Sequence, residues 1–156
     1  MAACAGCGNA DKAAPPPSSS SASATSSAVT GPPSGRPSDY GSLLIKPDEV
    51  GGGLTAPQSP MLNPNNAPGA AQLFANADSS RRLWDTIVVA SDPSAAAAEL
   101  SSTQGGYNGK VSGSWQPLAV GANGASISGT APDNSQAMTV LVFTEGRALV
   151  TLEFDS

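Results

Sequence analysis

Two β-branched, apolar runs near the C-terminus constrain this chain's fold more than any other feature. Ala137-Met138-Thr139-Val140-Leu141-Val142-Phe143 and Ala148-Leu149-Val150-Thr151-Leu152-Glu153-Phe154 are joined by Thr144-Glu145-Gly146-Arg147. Such residues suit a pleated surface, and Gly146 can supply the positive φ of a tight turn, so the pattern predicts a β-hairpin. With Glu145-Gly146 as the two-residue loop, Thr144 opposes Arg147, Phe143 opposes Ala148, Leu141 opposes Val150 and Thr139 opposes Leu152. That register gathers Leu141, Phe143, Val150, Leu152 and Phe154 on one face, assigned to the core. Val140, Val142 and Leu149 fall on the other face, which is either covered by helices or open to a partner.

The segments before the hairpin read as a mixture of short helices and strands. Ser42-Leu43-Leu44-Ile45 is a strand or the lead-in to a helical turn. Pro47-Asp48-Glu49-Val50 is that turn, with Pro at its first position and carboxylates at the positive end of the dipole. Residues 55–69, with four prolines and several Asn, read as a long irregular loop. Ala70, Leu73, Phe74 and Ala77 have helical spacing, and 79–84 reads as a further turn. Thr86 to Ala90 reads as a buried strand carrying Ile87 and Val89. Asp92-Pro93 then opens a helix over 93–103, with Asp92 as N-cap, Leu100 facing inward and Gly105-Gly106 beyond the end. Val111–Gln116 is a weak strand, Asn123-Gly124 a turn and Ala125–Gly129 a short strand.

The fold class expected is therefore α+β: a small antiparallel sheet with a C-terminal β-hairpin, packed by one or two helices and preceded by a disordered N-terminal tether. The domain is expected over 38–156. From Gly8 to Pro37 the chain is nearly all Ala, Ser, Pro, Gly and Thr, with Val29 as its only large apolar residue. Too little apolar surface is present there to offset ordering entropy. As a flexible coil, these residues would span roughly 30 Å, and roughly 90 Å if extended. Thr25 and Thr30 are compositional candidates for O-linked sugars.

Both cysteines lie in Cys4-Ala5-Gly6-Cys7. Ala5 and Gly6 fit the small positions before a lipidated cysteine, with Cys7 as the acceptor and residues 1–7 as the remnant of a lipoprotein signal. Cys4 stands where Leu is usual, and no apolar signal core precedes it, so lipidation is expected when the gene is read from an upstream start. The competing reading is a C-x-x-C redox pair, but such a pair follows a strand and opens a helix, whereas this one opens a low-complexity stretch.

The composition excludes several kinds of chemistry. There is no His, which removes His-based triads, His general bases and His metal ligands. No thiol follows Cys7. The net charge is −5, and no basic footprint for nucleic acid is visible. Gly105-Gly106-Tyr107-Asn108-Gly109-Lys110 departs from a phosphate loop, with Gln104 before it and Val111 after the Lys. Arg81-Arg82 beside Leu83-Trp84 reads as a solvated end with Trp84 packed inward, or as a patch for a partner. Trp115 reads as packing. No catalytic, cofactor-binding or metal residue is assigned, no cofactor is expected, and the domain is expected not to be an enzyme.

The C-terminal third resembles a pattern in actinobacterial envelope proteins. It comprises Pro117-Leu118-Ala119-Val120-Gly121, then Ala125-Ser126-Ile127, then the hairpin from Val140 to Leu152. Leu43-Leu44-Ile45-Lys46-Pro47-Asp48-Glu49-Val50 is similar to the opening of extracellular sensor domains of the PknH type, and the hairpin to that of LpqN-type mycobacterial lipoproteins with a PsbP/Mog1-like fold. These matches cover about 45 residues and are mostly structural; the cysteines of the PknH-type domain are missing. The resemblance implies an extracytoplasmic, lipid-anchored protein of the cell envelope with a sensor-like domain.

The function expected is non-catalytic binding of an envelope lipid, glycan or protein partner, with membrane contact through the N-terminal lipid and no nucleic acid. Candidate surface residues are Val140, Val142, Leu149 and Trp84, together with the 55–69 loop. The alternatives are a structural or host-interacting surface lipoprotein without a small ligand, and a hydrolase using two carboxylates.

Overall fold

The computed structural model describes residues 39–133 and 135–156. All of them belong to one compact unit, Gly35–Ser156. The expected lipidation site Cys7 and the whole of the expected tether lie outside the described residues.

The unit is an α+β domain built on one seven-stranded antiparallel sheet, in the order β1-β2-β3-β7-β6-β5-β4. The strands are β1 (Met61–Leu62), β2 (Gly69–Ala75), β3 (Arg82–Val89), β4 (Gln116–Pro117), β5 (Ala122–Thr130), β6 (Ala137–Glu145) and β7 (Ala148–Asp155). A 3₁₀ turn (Tyr40–Leu43) and a one-turn helix, α1 (Pro47–Val50), precede the sheet, a second 3₁₀ turn (Pro64–Asn66) follows β1, and α2 (Pro93–Tyr107) follows β3.

The β6–β7 hairpin forms where the sequence places it, but its loop is Gly146-Arg147. Glu145 pairs with Ala148, Phe143 with Val150 and Leu141 with Leu152. Gly146 takes the left-handed conformation in this turn, with φ 56°. Relative to the expected register the strands have slipped by two residues, which leaves each face with the same residues.

The polarity of the faces is opposite to expectation. Val140 and Val142 are fully buried, and Leu149 and Thr144 are buried with them. Leu141, Phe143, Val150 and Leu152 are only half-buried, and Phe154 is 40% exposed. The reason is α2. Asp92 caps it by accepting from the Ala95 N–H at 2.9 Å, with Pro93 in its first turn. The helix lies over Val140, Val142 and Leu149 and buries only Ala96 and Leu100 of its own. An alanine-rich helix face complements short β-branched side chains better than phenyl rings. The helix also runs through Gly105-Gly106 to Tyr107, beyond its expected end.

A second cluster lies on the opposite face. Leu44, Ala70, Ile87 and Val89 pack there with Tyr40, Ala148 and Val150. The segment before β1 is pinned further by Asp85, whose Oδ2 accepts the Ile45 N–H at 2.8 Å. Burial raises the Asp85 pKa, partly opposed by that hydrogen bond.

Four further expectations change. Ala70, Leu73 and Phe74 lie in a strand, β2, which ends at Ala75, because both neighbours supply ladder partners: Leu62 of β1 pairs with Ala70, and β3 pairs along the whole length of β2. Arg82–Trp84 belong to β3 and not to a turn. Asn123-Gly124 is an irregularity inside β5, where the register shifts between Ala122 and Ala125. Of 111–116, only Gln116 is in a strand.

Candidate functional site

The two coverings are staggered. Helix α2 covers the β5–β6–β7 half of one face, and the segment before β1 covers the β2–β3 part of the other. On the helical face this leaves β1, β2 and β3 beside the end of α2, and a cleft of about 350 Å³ opens there.

Register builds the floor. Met61 pairs with Ala71, Ala71 with Thr86 and Thr86 with Thr151, so one row crosses four strands. Residues paired in this way point to the same side of a sheet. The next row runs Leu73, Trp84, Glu153. Ala71 is small, which deepens the floor between Met61 and Thr86. Tyr107, the last residue of α2, forms one wall, and Pro64 and Asn65 of the 3₁₀ turn form the other. Asn65 has φ 54° in that turn, a conformation Asn tolerates better than most residues.

Trp84 is the largest lining side chain and is 36% exposed. Tyr107 donates its hydroxyl to Glu153 Oε2 at 2.5 Å, tying α2 to β7. Burial pushes the Tyr107 phenol pKa well up, and the Glu153 hydrogen bond and charge add to the effect, so the hydroxyl stays a donor. The Lys110 ammonium lies 5.4 Å from the Tyr107 ring centre. Among the described residues, no side-chain hydrogen bond engages the Trp84 indole N–H, the Thr86 and Thr151 hydroxyls, Glu153 Oε1 or the Asn65 amide. Arg82, two residues from Trp84 on the same face, is held by Asp155 at 3.2 Å.

Of the four candidate surface residues, only Trp84 lines this cleft. Val140, Val142 and Leu149 lie beneath α2 and are closed to any partner in this conformation. The 55–69 loop contributes Met61, Pro64 and Asn65. It also supplies Ala56, Gln58 and Pro60 to a second cavity of about 350 Å³ on the opposite face, beside Leu44, Gln72 and Phe74. Thr86, Tyr107, Thr151 and Glu153 were not singled out by sequence. Each reaches the cleft only through the register of distant strands or the length of α2. The one available signal was the alternation of Arg82, Trp84 and Thr86 against Leu83, Ile87 and Val89, which places Trp84 away from Ile87 but is interrupted by Asp85 on the apolar side.

Among the described residues, no group of three or more His, Cys, Asp or Glu side chains is placed to hold a metal ion. Among the described residues, Glu153 is the only carboxylate lining the cleft. No protein-family model matches the chain, and neither does any curated protein or solved structure.

Proposed function

We propose that this protein is a lipid-anchored component of an actinobacterial cell envelope whose folded domain is a non-catalytic binding module, with the Trp84 cleft as its ligand site. One observation carries the binding reading: a half-open indole sits on the sheet, surrounded by polar atoms that no side-chain hydrogen bond engages among the described residues. Pockets of this kind, mostly pre-formed and with a few convergent polar groups, are what small-molecule sites look like. Hydrolysis by paired acids requires two carboxylates flanking the scissile bond, and the cleft offers Glu153 alone. The absence of His from the whole chain points the same way.

The anchoring part of the reading rests on sequence: the small residues before Cys7, the Ser/Pro/Ala stretch after it and the resemblance to envelope lipoproteins. The structural or host-facing alternative draws on the other sheet face, where half-buried Leu141, Phe143 and Leu152 adjoin exposed Phe154.

The test is mass spectrometry of the protein recovered from the envelope of its native host, denatured for Cys7 and native for the domain. A diacylglyceryl-modified Cys7, absent in Cys7→Ala, is expected, together with a co-purifying small molecule displaced by Trp84→Ala. An unmodified Cys7 would refute the anchoring. A domain that carries nothing and binds nothing at Trp84 would refute the binding module.

A further inference from the structure

Given that the Trp84 cleft is a ligand site, we infer that its ligand is a neutral saccharide of one or two rings.

Anions are disfavoured because the lining holds no Lys or Arg, while Glu153 presents a carboxylate. A phosphate, uronate or other acidic group would meet Glu153 inside the cleft, whereas the nearby Lys110 ammonium is not part of the lining and lies against the Tyr107 ring. Arg82, the nearest guanidinium along the face, is engaged by Asp155.

Organic cations need more than one aromatic face. An ammonium is best held by a cage of rings, and only Trp84 is available as one. The Tyr107 ring is already attended by Lys110 at 5.4 Å, so a ligand cation there would face a like charge. The Tyr107 hydroxyl also occupies one Glu153 oxygen, leaving a single oxygen for the ligand.

A lipid chain would fit Met61, Ala71 and Trp84 but would strip water from the Thr86 and Thr151 hydroxyls and from Glu153 without replacing its hydrogen bonds. Each such loss leaves a desolvated polar group unpaired, and the penalty is greatest for the charged carboxylate.

A sugar ring matches what remains. Its C–H face is apolar and lies flat on an indole, while its edge carries hydroxyls that both donate and accept. Trp84 supplies the platform and its N–H a donor. Thr86 and Thr151, direct cross-strand partners, present two adjacent hydroxyls that can do either. Glu153 Oε1 accepts, and a hydrogen bond to a charged acceptor is among the stronger kind. At about 350 Å³ the cleft is at the small end of ligand sites, which limits the occupant to one or two rings.

The experiment uses the full 156-residue chain labelled with ¹⁵N. The two indole N–H signals, from Trp84 and Trp115, are assigned with Trp84→Phe. Glucose, galactose, mannose, N-acetylglucosamine, maltose and trehalose are titrated, with choline, glucuronate and decanoate alongside. The expected result is a saturable shift of the Trp84 indole with at least one neutral sugar. Affinity should fall at least about tenfold in Trp84→Ala and in Glu153→Gln, with folding confirmed from the remaining spectrum. Trp84→Phe should weaken binding less than Trp84→Ala, since a smaller ring still stacks. Preferential binding of choline, glucuronate or decanoate at Trp84 would overturn the saccharide inference and leave the binding module standing. Sugar shifts that survive Trp84→Ala would overturn the inference as well. No response at Trp84 to any probe would overturn both.

Discussion

Leu100→Ala is the most direct probe of how α2 is fastened to the sheet. Of the fifteen residues in this helix only Ala96 and Leu100 are buried, and Leu100 is the only large one. It is packed among Val111, Ala125, Ile127, Val140, Val142 and Leu149. The substitution deletes three carbons, worth about 2.5 kcal/mol at about 0.8 kcal/mol per buried methylene. Several of its neighbours stand on strands that cannot collapse into the gap, so a cavity contribution brings the expected loss to about 3–4 kcal/mol. A domain of this size has roughly 6–15 kcal/mol to lose, so the variant should fold but melt early. Urea unfolding followed by circular dichroism gives the global loss. Native-state hydrogen exchange gives the local one: protection of the 96–107 amides should fall about a hundredfold or more, while β3 and β7 amides retain a separate, higher protection. A loss below about 1 kcal/mol with α2 protection unchanged would refute the reasoning and shift the fastening to the Tyr107–Glu153 hydrogen bond.

Three further outcomes are expected. Gly121→Ala should cost about 2 kcal/mol or more in urea melts, because Gly121 has φ 49° and an added Cβ would lie 2.5 Å from the Phe143 ring and 2.7 Å from the Thr144 carbonyl oxygen. Asp85→Asn should change the pH dependence of stability. The folded pKa of Asp85 lies above its unfolded value, so wild type loses stability as pH rises from about 4 through that raised pKa, by about 1.4 kcal/mol for each pH unit of displacement. The Asn variant should lack this loss, and melts of both proteins between pH 4 and 8 that run parallel would count against it. Asp92→Ala should behave oppositely. Hydrogen bonds from the Ala95 N–H and then the Ser94 and Ser91 hydroxyls hold the Asp92 pKa down to about 2, so its contribution is present above pH ~4 and lost as pH falls toward 2. Its thermal midpoint should drop by a few degrees at pH 7 and match wild type at pH 2.

The parts of the fold that sequence reveals are those with a strong local cause. The hairpin follows from two β-branched runs around Gly146, and the start of α2 from Asp92-Pro93. The exact loop does not follow, because Glu145-Gly146 and Gly146-Arg147 both place Gly146 in a two-residue turn. Nor does the buried face, since both faces of the hairpin are apolar and only the small footprint of α2 chooses between them. Strand β2 escapes because it is buried on both sides, Gln72 included, so it has no alternation to read, and its Ala/Leu/Phe spacing mimics a helix. Gln72 is kept inside by donating to the Gln58 and Leu73 carbonyls, which no local pattern announces. In β3, Asp85 occupies the inward phase between Leu83 and Ile87 at 1% exposure, breaking the alternation that would have pointed Trp84 to the other side. The cleft itself draws Met61, Trp84, Tyr107 and Glu153 from four distant segments, and only the completed sheet brings them together.

The shortness of the outermost strands matters for how densely such a molecule can be crowded. β1 and β4 have two residues each, and β4 ends in Pro117, which has no N–H to offer a neighbour. The central strands β3, β7 and β6 are paired on both sides, and the outer sides of β2 and β5 are closed in part by β1 and β4 and by backbone hydrogen bonds with Thr55 and Ser112. Among the described residues, a second sheet therefore finds only short stretches of open backbone on either border to extend, a poor template for ribbon growth of the amyloid kind. Copies concentrated on a surface can jostle without zipping together, and whatever association they make must proceed through side chains on the sheet faces.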